Sequence, residues 1–511
     1  MSRKRVYNIN RFDGGMTNDV RNLTDLSKCA FISHFDIYSE PYSMKVMPGY
    51  VADQDYEGTP DDLKQFKVRA FHYGENSRLL AVGEKAAGGG THFVFKNDPT
   101  DAEWSNGTAT GSGTIEGTDD LIAAPLANII SDSAGDWIVP TQAGGTTYFS
   151  HVDNTAVTDK HHTVAVTGSS TGTRFISHLA PNESVYMNLL WDDVGKISGS
   201  TVTDPAFNTT MYVTDLASWG DYMWVFGYSF FPYTTRLLLW DLASSNPDQK
   251  IAVPNSRGGA IGVVGNSVVC AVDEFVDSSK GATISGEHYN GHAGFSVRQV
   301  NGSSLDTLYR YIAPTNTNGA LWPCQHTHND TFLFYGRFPL DSTPTNYMEG
   351  IWAVGRRNVN SPLAVSLLMD TSGLGQMDGY FGFGYHHFFA HGGDGSVSRL
   401  DDHVSGTFDV TATYESLMFG SDTPYKKQLN GVTVVTEDLP AGATVVLKYR
   451  LDTDDSWTTI GTSDTDGKEK HMFTKNIDDF QEIQLRVEVL GNVSVKNIHV
   501  SLNETDDLVY E

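Results

Sequence analysis

Cysteine is nearly absent: 511 residues hold three, Cys29, Cys270 and Cys324. No Cys-x-x-Cys pair occurs, which excludes a disulfide framework and a zinc ribbon. Positive charge is also scarce. The 35 Lys and Arg stand against 62 Asp and Glu, a net −27. Nucleic acid and anionic lipid repel such a chain unless a local basic patch intervenes, and the one dense basic cluster is Arg3-Lys4-Arg5. A groove-reading nucleic-acid binder is therefore not expected. Nor does any stretch approach the roughly 18 to 20 apolar residues of a membrane span. Met1-Ser2-Arg3-Lys4-Arg5 is followed by Val6-Tyr7-Asn8-Ile9-Asn10 rather than by an apolar signal region, so synthesis in a cytoplasm without secretion is expected. The glycine cradles of nucleotide enzymes, the Gly-x-Ser-x-Gly elbow and the His-Glu-x-x-His helix are all missing.

What is present is turn chemistry between apolar runs. Glycine occurs 50 times, aromatic residues make up 11% and hydrophobic residues 39%, enough for a large core. Paired apolar runs recur: Arg78–Gly83 with His92–Phe95, Asp221–Gly227 with Arg236–Asp241, and Gly265–Val272 with Gly294–Val300. Asp330–Gly336 with Gly350–Val354 and His386–Gly393 with Ser396–Leu400 continue the series. A unit of roughly 45 to 75 residues suits a four-stranded propeller blade with variable loops. The runs are nearly continuous in apolar residues, as expected of strands buried between neighbouring blades. A large β-sandwich or a β-helix is the alternative, although a β-helix needs a stricter period. Residues 100–200 are less regular and predict one or two further blades, with Asp120 to Ser131 forming either a short helix or a strand.

The expected fold is all-β: an irregular β-propeller with an extended N-terminal arm and a C-terminal β-sandwich. Residues 1–50 read as the arm, with helix-like content over Leu23 to Ala30. Residues 51–403 read as the propeller. Residues 404–504 alternate with period 2, as in Val432–Thr436, Thr444–Arg450 and Ile483–Val489, and predict the sandwich. Residues 505–511 form an acidic surface tail.

Few residues invite chemistry. His161-His162, His326-Thr327-His328 and His386-His387 with His391 suggest metal ligands, but no carboxylate or cysteine set completes a site. Ser131-Asp132-Ser133-Ala134-Gly135-Asp136-Trp137 approaches the Asp-box turn of sialidases but lacks its third-position Asp and its Trp spacing. Asp452-Thr453-Asp454-Asp455 and Asp464-Thr465-Asp466-Gly467 are fragments of calcium loops without the bidentate glutamate, and read as hairpin turns. No catalytic residue, metal or cofactor is expected, and the chain is not expected to be an enzyme.

Three features together resemble the virion structural proteins of tailed bacteriophages. These are Phe12-Asp13-Gly14-Gly15-Met16 running on to Met44-Lys45-Val46-Met47-Pro48-Gly49-Tyr50, the irregular propeller repeats, and a sandwich carrying Tyr449–Asp452, Trp457–Gly461 and Phe480–Glu488. The resemblance implies a tail hub, ring or nozzle subunit of the virion. Its partners would be further copies of itself in a ring and other tail or neck proteins, with DNA passing unbound and no membrane partner. Arg3, Arg5, Tyr7, Phe12, Met16, Met47 and Tyr50 are the expected assembly contacts, on the premise that the arm cannot bury itself at home. The alternatives are capsid decoration and a glycan- or receptor-binding adhesin stacking sugars on Trp191, Trp219 or Tyr233.

Overall fold

The computed structural model describes residues 3–508 except 41, 54–65, 74–77, 86–90, 100, 102, 105–113, 117–119, 122–128, 133–135, 144–145, 153–156, 165–176, 181, 190–192, 199–200, 231–232, 255, 276–291, 313–319, 325–328, 341–346, 376, 385, 393–395, 402–406 and 453–455. Among the described residues there is no helix. Among the same residues, seven antiparallel blades follow one another, each built on strands taken in chain order. Blade 1 holds Phe66–Tyr73, Leu79–Lys85, Thr91–Lys96 and Thr114–Glu116. Blade 2 runs from Asp120–Leu121 and Ile130–Ser131 through Trp137–Ala143 and Thr146–Val152 to Val157–Val164. Blade 3 spans Ser177–Leu179 to Thr201–Asn208, blade 4 Tyr212–Trp219 to Gln249–Val253, and blade 5 Ser256–Val264 to Ser304–Ile312. Blade 6 spans Ala320–Pro323 to Ala364–Asp370, and blade 7 starts at Met377–Phe383. Blades 2 and 3 occupy the irregular region, and Asp120–Leu121 and Ile130–Ser131 settle as strands.

The blades close into a ring because their middle strands are apolar on both faces. In Tyr347–Gly355 every residue after the first is buried. Each pair of neighbours shares an apolar cluster. Leu80 and Val139 join blades 1 and 2, Phe149 and Met187 join 2 and 3, and Tyr186 and Trp240 join 3 and 4. Trp224 and Val272 join 4 and 5, Phe295 and Trp352 join 5 and 6, Tyr335 and Phe389 join 6 and 7, and Phe71 and Phe388 join 7 and 1. The outermost strand of blade 7 comes from the far end of the sequence: Val51–Ala52 pairs antiparallel with Ser396–Asp401. A buried ion pair fastens this closure. Lys96 of blade 1, with no exposed surface, donates to Asp53 Oδ1 at 2.6 Å and to the Asp101 carbonyl at 2.7 Å. The Trp104 indole donates to the Asp53 carbonyl at 3.1 Å and lies 5.0 Å beneath the ammonium.

The sandwich grows directly out of blade 6. Phe31–Ser33 pairs with Ala364–Asp370 on one side and Ala412–Glu415 on the other, so one nine-stranded sheet runs from the propeller through Ile483–Leu490 to Thr458–Ser463. The second sheet is built on Tyr425–Thr436 and Ser494–Leu508, with Arg3–Ile9 beside the latter. Alternate residues Val432, Val434, Val445, Leu447, Val487, Val489, Ile498 and Val500 fill the space between the sheets.

The N-terminal segment is extended, as expected, but it packs within its own chain. It supplies strands to both sandwich sheets and packs on blades 6 and 7 through Met47 and Tyr50, which corrects the premise that it cannot bury itself at home. The helix-like content over Leu23 to Ala30 is also corrected. Asn22 Oδ1 accepts from Thr24 N at 3.1 Å and Asp25 Oδ1 from Ser27 N at 3.1 Å, and Lys28–Cys29 is a strand. Side-chain bonds to nearby backbone stabilise turns here at the expense of a helix. At the other end Ser494–Leu508 continues as a strand beyond residue 504, and Glu504 is buried.

Candidate functional site

The first strands of blades 2 and 3, 3 and 4, 4 and 5, 5 and 6, and 7 and 1 touch one another, so they line the axis of the ring. Antiparallel order then places the start of each first strand at one end of that axis. Near this end four first strands carry a β-bulge. The register skips Arg69 between Val68 and Ala70, Thr214 between Val213 and Asp215, Arg257-Gly258 between Ser256 and Gly259, and Asp378 between Met377 and Gly379. A bulge re-aims the side chain it carries. Here the extra residues meet the next blade. Arg69 Nη1 lies 2.6 Å from Asp378 Oδ1, joining blades 1 and 7, and Asp378 is buried. The Gly259 N–H donates to Thr214 Oγ1 at 3.2 Å, joining blades 4 and 5. Beside it the buried Asp215 carboxylate accepts from Leu216 N at 2.9 Å and Ile261 N at 2.8 Å. Glycine is required at this seam, since a Cβ on Gly259 (φ +150) would stand 2.0 Å from the Ala271 carbonyl oxygen.

The same end holds the buried carboxylates of Glu274 and Glu349. Glu274 accepts from Arg298 Nη2 at 3.0 Å and Arg310 Nε at 2.5 Å. Glu349 accepts from the Tyr335 hydroxyl and lies 3.0 Å from Arg337 Nε. Burial pushes the Glu349 carboxyl above its ordinary pKa, against the pull of Tyr335 and Arg337. Burial, and then the neighbouring Glu349, push Tyr335 up as well. Glu349 is thus a buried carboxyl with a raised pKa beside a guanidinium, the kind of perturbed residue that functional sites carry. Each of Glu274, Glu349 and Asp378 is met by a guanidinium, so the axial end is a set of charge pairs within and between blades.

At the opposite end a cavity of about 360 Å³ lies where the N-terminal segment meets blades 6 and 7. Asp36, Tyr38 and Met47 form one wall, and Arg356, Arg357 and His387 line another. Tyr38 is held by bonds to Ala353 O (3.2 Å), Ala364 O (3.1 Å) and Ser366 Oγ (3.1 Å). Arg357 donates to Ile37 O at 3.1 Å.

The seven residues expected to serve assembly are spread along the N-terminal segment, some buried in the chain's own core and some at its surface. Arg3 is exposed opposite Glu504, and Arg5 pairs with Asp422 and with Glu504 at 2.7 Å. Tyr7 donates to Asp422 Oδ1 at 3.4 Å and stacks obliquely on Phe419. Phe12 and Met16 are buried, Phe12 edge-on to Tyr414. Met47 and Tyr50 pack on blades 6 and 7, where the Tyr50 hydroxyl donates to Asp370 O at 2.6 Å. No single site gathers them.

Of the histidines, His326 and His328 lie outside the described residues, and His161 and His162 fall in the strand Val157–Val164. His387 Nδ1 bonds the Tyr380 hydroxyl at 2.8 Å and His391 Nε2 bonds Ser398 Oγ at 2.9 Å, so these two are held by neighbouring strands. Trp191 is outside the described residues, and Tyr233 begins a strand. Trp219 is exposed at a hairpin tip directly opposite the exposed Tyr222. Burial pushes the Cys29 thiol up and the Cys270 thiol up to about 12, which leaves both unreactive at neutral pH. The axial carboxylates were missed from sequence. Their signal is a charged residue at the edge of an apolar run, as in Asp378-Gly379-Tyr380, Glu349-Gly350-Ile351 and Asp273-Glu274-Phe275.

No family model and no curated protein matches the sequence. Among solved structures, a hydrazine synthase from Kuenenia stuttgartiensis is similar at 12% identity and TM-score 0.35, over 58% of this chain and 78% of that one. An exo-β-1,3-galactanase from Phanerochaete chrysosporium is similar at 9% identity and TM-score 0.28, over 89% of this chain and 100% of that one. A family 43 arabinoxylan arabinofuranohydrolase from Bacillus subtilis is similar at 8% identity and TM-score 0.27, over 88% and 99%. These neighbours correct the expectation that the chain is not an enzyme. Several of them are glycoside hydrolases. At these identities and TM-scores the likeness assigns neither reaction nor substrate to this chain.

Proposed function

We propose that the protein is a structural subunit of a tailed-bacteriophage virion, a tail hub, ring or nozzle component assembled in the host cytoplasm. The observation that carries this reading is the continuous sheet joining blade 6 to the sandwich through Phe31–Ser33. A sheet passing from one body into the next leaves no hinge there, and a toroid with few free edges resists both shear and unwanted pairing. Such a block suits a part that holds its neighbours at fixed angles. The neighbours are further copies of the chain and other tail or neck proteins. With the N-terminal segment engaged at home, the contact surface is the outer sandwich sheet, where Val6, Tyr425 and Met472 are exposed. The net charge of −27 suits a conduit that DNA passes without sticking. Electron microscopy and light scattering of the purified protein test the proposal. Closed rings with a central opening are expected, and monomers at every concentration would reject it.

A second reading is favoured by one observation, the exposed cross-strand pair of Trp219 and Tyr222. Two aromatic faces at a hairpin tip form a platform for a sugar ring. A glycan array with the parent and Trp219→Ala separates this adhesin reading from the first: saturable binding lost in the variant supports it, and no binding by the parent rejects it.

A further inference from the structure

In blade 2 three side chains of a kind able to ligate metal converge from three adjacent strand ends. Asp132 follows the strand Ile130–Ser131, Asp136 precedes Trp137–Ala143, and His151 lies near the end of Thr146–Val152. Their ligand atoms all lie within 4.8 Å of one another. The pairing register causes this. Ser131 lies opposite Trp137 and Ile138 opposite His151, so both carboxylates sit beside the imidazole. Asp132 and Asp136 hold each other in place, Asp132 N donating to Asp136 O at 2.9 Å and Asp136 N to Asp132 Oδ1 at 3.1 Å.

His151 Nδ1 stands 3.9 Å from Asp136 Oδ2. That is too far for a direct hydrogen bond, whose usual range ends near ~3.2 Å. It is a fitting separation for two ligands of one ion at bonds of about 2.0 to 2.2 Å with some adjustment. The three donors are partly buried, which limits competition from water while leaving an approach. Among the described residues the buried Ser131 hydroxyl oxygen beside them has no hydrogen-bond partner.

We infer that Asp132, Asp136 and His151 form a binding site for one divalent cation of zinc type. One imidazole and two carboxylates match zinc, with manganese next. A calcium or magnesium site is instead built of oxygen ligands. The three donors leave a fourth position for water or for a group from a neighbouring molecule. The site is independent of the virion proposal and stands or falls separately from it.

The test is calorimetric titration of the full chain, freed of metal by chelation, with Zn²⁺, Mn²⁺ and Ca²⁺. One saturable Zn²⁺ site is expected, weakened at least tenfold by Asp136→Asn and by His151→Gln, and weakened as pH falls and the imidazole protonates. Zinc should also protect His151 of the parent from acylation by diethyl pyrocarbonate, a readout that needs no variant. The absence of a saturable Zn²⁺ site, an affinity unchanged in both folded variants, or no protection of His151 would each overturn the inference. Tighter binding of Ca²⁺ than of Zn²⁺ would overturn the assignment of the ion.

Discussion

Replacing Asp53 by asparagine tests how the ring is closed. The strand Val51–Ala52 is two residues long, so its own backbone bonds to blade 7 cannot hold it. The stronger tie is Asp53, whose carboxylate meets Lys96 at 2.6 Å with the ammonium fully buried. Burial already lowers the Lys96 pKa, with Asp53 opposing the shift. Asp53→Asn leaves the ammonium with the Asp101 carbonyl and the Trp104 ring alone. Stranding one partner of a buried pair costs about 3–5 kcal/mol. The two surviving contacts argue for the lower value, about 3 kcal/mol. If that cost falls on the closure, blade 7 opens roughly 100-fold more often. Native-state hydrogen exchange of Ser396–Asp401 reads this opening directly. Lys96→Met should produce a similar opening. The double variant Asp53→Asn with Lys96→Met should be better than the sum of the two, by about 1 to 3 kcal/mol, because no charge is then stranded. The Asp53→Asn defect should also shrink as pH rises and the stranded lysine sheds its proton. Exchange in blade 7 unchanged by either single variant would refute the idea that this pair fastens the ring.

Three further outcomes are expected. His34 is fully buried, its Nε2 bonded to the Pro48 carbonyl at 3.0 Å, and burial lowers its pKa to about 4. Between the ordinary value near ~6.5 and 4 the unfolded chain binds the extra proton. Stability should therefore fall as pH drops through that window, by about 3 kcal/mol in all, and His34→Gln should flatten the slope of a urea-unfolding series across it. Gly259→Ala should loosen the seam between blades 4 and 5 by more than about 2 kcal/mol, because its Cβ meets backbone at 2.0 Å. Gly220→Ala should cost only the ~1 to 2 kcal/mol of its positive φ, with nothing within 4 Å, and comparative melting curves would expose equal effects as a failure. Removing residues 1–9 should destabilise the sandwich by at least about 3 kcal/mol. It strips the strand Arg3–Ile9 from Ser494–Leu508 along with buried Ile9, half-buried Tyr7 and the Arg5–Glu504 pair. Unchanged exchange in Ser494–Leu508 would contradict this.

Sequence alone determined the fold class and most of the blades, because these are written in short-range patterns. Strands such as Ser267–Phe275 and Phe332–Pro339 are mostly apolar because blades cover both faces, whereas Tyr425–Thr436 alternates because only one face meets the sandwich core. Tertiary structure decided what depends on residues far apart in the chain. The N-terminal segment reads as a free arm because its partners, Ser494–Leu508 and Ala412–Glu415, lie hundreds of residues away. The pairs Arg69–Asp378 and Lys96–Asp53 and the group Asp132, Asp136 and His151 are equally hidden, since each is made by sheet register or ring closure. Local pattern fixes which face of a strand is apolar; only the closing of the ring fixes which charges meet.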